Sequence, residues 1–61
     1  MKATITKKNG KVKRWENCYA DFLSTWLAIH SNNEQGLTCR TYAIPMYEIT
    51  QVEIEYDNTE D

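Results

Sequence analysis

Val52, Ile54 and Tyr56 occupy every second place between Gln51, Glu53, Glu55 and Asp57. A period of two sends alternate side chains to opposite faces of an extended strand, so this segment has one face to bury and one charged face to solvate. Near the other end, Asn9-Gly10 stands between two runs rich in Thr, Ile, Val and Lys. Asn-Gly accepts the positive φ values of a type I′ turn, which predicts a hairpin with strands at about 2 to 8 and about 11 to 16. A two-residue loop sets Thr6 opposite Lys13 and Thr4 opposite Trp15, leaving Trp15 among lysines. A three-residue loop with a bulge reverses the parity of one strand and brings Trp15 to the side of Ile5.

The stretch from Glu16 to Ser31 satisfies two periods. Cys18, Phe22 and Trp26, with Tyr19 and Leu23 beside them, fit one face of a helix over residues 16–30. Leu27 and Ile29 also alternate with Trp26, Ala28 and His30, and a helix would have to accept Asn17, Asp21, Ser24 and Thr25, all weak helix formers. Two short strands, Cys18 to Phe22 and Thr25 to Ser31, are the favoured reading, with the helix as its rival. The polar run Ser31 to Gly36 is a loop, and the alternating residues after it continue a strand to Pro45, which cannot donate to a ladder. Met46 to Ile49 has room for one helical turn. The expectation is an all-β or β-dominated α+β domain over residues 1–57: a single small antiparallel sheet or partly open barrel of about five strands. Residues 58–61 form a frayed acidic tail.

At 61 residues the chain is expected to bury about 60% of its unfolded surface, and large aromatic side chains must compensate for that small fraction. Most of Tyr19, Phe22, Trp26, Tyr42 and Tyr56 are therefore expected in the core, while Trp15, Tyr42 and Tyr47 are candidates for surface anchors. Cys18 and Cys39 read as free buried thiols. Together with His30 they lack both the paired spacing of a zinc site and the third group of a nucleophilic triad. Glu53 and Glu55 share one face of their strand and read as a solvated surface. No glycine-rich phosphate loop occurs, so neither an enzyme nor a cofactor is expected. No apolar run reaches the length of a membrane span, and the expected location is the cytoplasm.

Charge is divided along the chain. Lys2, Lys7, Lys8, Lys11, Lys13 and Arg14 precede every acidic residue, whereas Glu48, Glu53, Glu55, Asp57, Glu60 and Asp61 close the chain without a cation, for a net charge of -2. That net value hides a basic lobe and an acidic lobe, and such asymmetry concerns partners rather than folds. The early hairpin, the strand ending in WLAI, the strand entering YAIP and the final EITQVEIEY resemble the layout of small orphan β-rich proteins of bacterial phages and mobile elements. That resemblance implies a compact sheet and an accessory role, such as binding and inhibiting a host protein. The expected contact residues are Lys8, Lys11, Lys13, Arg14, Trp15, Tyr42 and Tyr47. The alternatives are nucleic-acid binding by the basic hairpin, mimicry of a phosphate backbone by the acidic strand, and a homo-oligomer, which could sequester a small ligand between subunits.

Overall fold

The computed structural model describes residues 1–56, so Asp57 and the expected tail at 58–61 lie outside the described residues. Six strands form: β1 (Lys2–Lys7), β2 (Val12–Trp15), β3 (Cys18–Phe22), β4 (Trp26–Asn32), β5 (Thr38–Pro45) and β6 (Ile49–Glu55), with a 3-10 turn at Met46–Glu48. The β-dominated expectation holds, and the rival helix over 16–30 is replaced by β3 and β4. Six strands stand where about five were expected. They divide into two three-stranded antiparallel sheets, a hairpin sheet ordered β2-β1-β6 and a meander ordered β3-β4-β5.

Turn chemistry fixes the register of the first hairpin. The Gly10 N–H donates to the Lys7 carbonyl at 2.9 Å, and the Lys7 N–H donates to the Lys11 carbonyl at 2.8 Å. Gly10 has φ +91°, whereas Asn9 is not in the positive-φ region. The loop therefore has three residues and ends in a left-handed glycine, which excludes the type I′ turn. Ala3 now faces Trp15 and Ile5 faces Lys13, so Trp15 lies on the side of Ile5. The β4–β5 connection repeats the device. Gly36, at φ +82°, donates to the Asn33 carbonyl at 3.0 Å, and the Asn33 N–H donates to Leu37 at 2.8 Å. Each of the chain's two glycines thus occupies the position in a three-residue loop that requires φ above zero.

Two corners carry the chain between sheets. At Glu16-Asn17 the backbone turns through a left-handed Asn17, φ 53°, a conformation that asparagine accepts better than most residues. Its side-chain amide donates to the carbonyls of Asn32 and Asn33 at 3.0 and 2.9 Å, tying the corner to the end of β4. The chain returns through Pro45 and the 3-10 turn, where the Met46 N–H donates to Thr25 and the Lys8 N–H to Glu48. β6 then pairs with β1.

The sheets face one another across a thin core. Ala3 and Ile5 project from the hairpin sheet, and Cys18, Leu27, Ile29 and Ile44 from the meander; Ile5, Leu27 and Ile29 are wholly buried. Trp15, Ala20, Tyr42, Met46, Ile49, Val52 and Ile54 pack around them. The core is mainly aliphatic. Of the aromatics assigned to it, Tyr42 is half-buried, while Tyr19, Phe22, Trp26 and Tyr56 are exposed. Parity explains Tyr19 and Trp26. With Leu27 and Ile29 facing inward, Trp26, Ala28 and His30 must face outward, and Tyr19 pairs with His30. Cys18 is buried as expected, but Cys39 is exposed, lying where the β4–β5 register shifts between Ser31 and Asn32.

Candidate interaction surfaces

Folding brings the basic and acidic segments together. Antiparallel pairing of β1 with β6 sets Lys2 opposite Glu55 and Thr4 opposite Glu53, while Thr4 is flanked on its other side by Arg14. Lys2, Thr4, Arg14, Glu16, Glu53 and Glu55 line one shallow depression, and Lys7 Nζ lies 3.4 Å from Glu48 Oε1. Lys2 and Arg14 thus interleave with Glu16, Glu53 and Glu55 on one face, an arrangement that stabilises neighbouring strands, while Lys8, Lys11 and Lys13 lie elsewhere on the hairpin.

The seven residues expected to contact a partner separate into three places. Lys13, Trp15 and Tyr42 meet in a groove between β2 and β5, lined also by Lys7, Thr41, Ala43 and Ile44. There the Trp15 and Tyr42 rings pack at 5.4 Å between centroids, tilted by 50°, so both serve partly as core. Arg14 points to the opposite face of β2, among the carboxylates. Lys8 and Tyr47 border a depression with Lys7, Asn9 and Glu48, and Tyr47 is the most open of the expected anchors, 72% exposed. Lys11 is exposed beside the turn, where its N–H donates to Asn9 Oδ1.

The groove has an electrostatic character that the hairpin as a whole lacks. β2 and β5 are edge strands of their sheets, and neither contains an acidic residue. The lining residues include two lysines and no carboxylate. Lys7 is shared with Glu48, whereas Lys13 is exposed on its strand.

A second surface escaped the sequence reading. On the outward face of the meander, three cross-strand rows lie in succession: Leu23–Trp26–Pro45, then Asp21–Ala28–Ala43, then Tyr19–His30–Thr41. Leu23 joins the first row through its N–H, which donates to Trp26. Tyr19 stacks on His30 at 4.5 Å, and His30 Nδ1 lies 3.0 Å from Thr41 Oγ1. Leu23, Trp26 and Tyr19 are 50%, 44% and 46% exposed around the small side chains of Ala28 and Ala43. The signal was present in the alternation of Trp26, Ala28 and His30 against Leu27 and Ile29.

Among the described residues no three His, Cys, Asp or Glu side chains converge as metal ligands, and no helix is long and apolar enough to cross a membrane. No family model matches the chain, and comparison with curated proteins and with solved structures returns no similar protein.

Proposed function

We propose that the protein is a non-enzymatic binding module, an accessory or inhibitory protein that captures an acidic, extended segment of a cytoplasmic host protein and covers it. The groove between β2 and β5 carries this reading, because two sheet edges border it and its lining brings Lys7 and Lys13 together with the Trp15 and Tyr42 rings and includes no carboxylate. An edge strand offers its outward N–H and C=O groups to an added strand. β5, with eight residues, gives the longer template. Alternate side chains of the added strand would then fall on Trp15 and Tyr42, while acidic ones reach Lys13 and Lys7. A nucleic acid tracking along the hairpin is less well served, since Lys2 and Arg14 already neighbour Glu55 and Glu53.

The two tryptophans make a direct test. In a Trp26→Phe variant, Trp15 alone reports on the groove. Titration with a peptide of alternating Glu and Val, about eight residues long to match a strand, should shift Trp15 emission, and Lys13→Glu should abolish the response. A Trp15 that ignores this peptide overturns the proposal. Steeply salt-dependent binding of oligothymidine in its place would assign the groove to nucleic acid.

A further inference from the structure

Resting on the reading of the groove as a capture site, we infer that the captured segment pairs antiparallel with β5 through the backbone of Thr41 and Ala43. Such a segment cannot carry proline at either of the two positions opposite them.

Alternation along the meander identifies these two residues. The Leu23 N–H donates to the Trp26 carbonyl and the Asn32 N–H to the Asn17 carbonyl, so in β4 the backbone groups of Trp26, Ala28, His30 and Asn32 face β3. Those of Leu27, Ile29 and Ser31 must then face β5, in step with the Met46 N–H that donates to Thr25 just beyond. Their partners Ile44, Tyr42 and Arg40 turn their N–H and C=O groups toward β4. Thr41 and Ala43 turn theirs the other way, over an edge that no strand covers, and among the described residues no turn or loop backbone bonds to them. Two features bound this free edge. Pro45 has no N–H, and at the far end the register shifts between Ser31 and Asn32, so that Cys39 bulges from the ladder.

Thr41 and Ala43 are exposed, and both line the groove together with Lys7, Lys13, Trp15 and Tyr42. The facing edge offers less. Pairing of β2 with β1 leaves the outward groups of Val12 and Arg14, and neither residue lines the groove. Antiparallel addition to β5 lets Thr41 and Ala43 each exchange both backbone bonds with the residue opposite, whereas parallel bonds are slanted and slightly weaker. The segment's residue between these two lies opposite Tyr42 and shares its direction, so its side chain falls on the Trp15 and Tyr42 rings, 5.4 Å apart. The recognised pattern is thus an apolar residue flanked on each side by one that carries an N–H, as aspartate and glutamate do and proline does not. A second copy of this chain does not suit the edge. Its β5 carries Arg40 and no carboxylate, and would meet Arg40 and Lys13 of the first copy with like charge.

Backbone methylation of the test peptide separates this register from capture by side chains alone. In the full-length Trp26→Phe chain, the peptide of alternating Glu and Val is compared with two versions, one N-methylated at every Glu and one at every Val. With Val on Trp15, the Glu N–H groups are those that donate to the Thr41 and Ala43 carbonyls. Methylating them should weaken binding at least about 100-fold, roughly tenfold for each lost bond, whereas methylating Val should change affinity less than about threefold. On the protein side, Ala43→Pro removes one outward N–H and leaves the bonds to β4 in place, as proline on a sheet edge can. It should weaken the unmodified peptide about tenfold, with a thermal melt to verify folding, and the two methylated peptides decide the register even if this variant does not fold. Equal effects of the two methylations, or a larger loss from methylated Val, overturn this register, while a response of Trp15 to the unmodified peptide keeps the groove reading. A Trp15 that ignores the unmodified peptide overturns both.

Discussion

The two sheets are alike in strand number and direction, and both present aliphatic residues inward, yet their outward faces follow opposite rules. The hairpin sheet sets Lys2 beside Glu55 and places Thr4 between Arg14 and Glu53. The meander sets Trp26, Tyr19 and Leu23 around two alanines. One face is compensated by charge and needs no further contact. The other retains apolar area that an isolated domain does not use, so inward packing and outward contact are separate properties of a sheet even in a small chain.

The inward faces should not distinguish the sheets. Ile5→Ala in the hairpin sheet and Leu27→Ala in the meander, both wholly buried, should each cost about 2–5 kcal/mol in urea unfolding. A single transition is expected by every probe, and sheets that melt separately would break the comparison at its base. The glycine turns sharpen it next. Gly10→Ala and Gly36→Ala meet open space around the added methyl, so each should cost about 1–2 kcal/mol through backbone conformation alone. Unequal losses would mean that one hairpin depends on its turn more than the other.

At the corner between the sheets, Asn17→Ala removes two hydrogen bonds to the end of β4 and leaves alanine in a left-handed conformation. A loss of about 1–2 kcal/mol is expected. Asn17→Gly should recover the conformational part, and thermal melting of the pair separates the two contributions. The outward faces give the smallest effect. Glu53→Lys should lower stability by about 0.5 kcal/mol, in a manner that added salt reduces, because it puts a cation in the same row as Arg14. Asp21→Lys, beside Ala28 and across from Ala43, should change the monomer's stability by less. Equal losses would show that charge pairing does not organise the hairpin face.

Much of this fold was legible from local pattern. Period-two alternation located the strands, Asn9-Gly10 and the loop ending in Gly36 located two hairpins, and Pro45 marked the end of β5. Division into two sheets was not legible, because no local residue states that β6 pairs with β1 while β5 stops at an edge. The aromatic assignment failed for a physical reason. Size suggested that Trp26 and Tyr19 belong inside, but two three-stranded sheets enclose a layer that Ile5, Leu27, Ile29 and Ile44 largely fill, and parity then sends those rings outward. Among the expected contact residues, Lys13, Trp15 and Tyr42 converge because the three-residue loop chose that register. Arg14, one position from Lys13, is carried by the same register to the opposite face.

Pairing of β1 with β6 has a consequence for assembly. The meander is made of neighbouring segments, whose contacts close short loops, but Lys2 and Glu55 meet across almost the entire described chain. Closing so long a loop carries a larger entropic cost and slows folding. The expected order is therefore meander first and β6 last. Until β6 docks, the β1–β2 hairpin has no third strand, and the inward side chains of Ala3 and Ile5 lack Ile54 and Val52 as cross-strand neighbours. On a ribosome, this would leave a basic, half-finished hairpin waiting for the acidic strand that completes it.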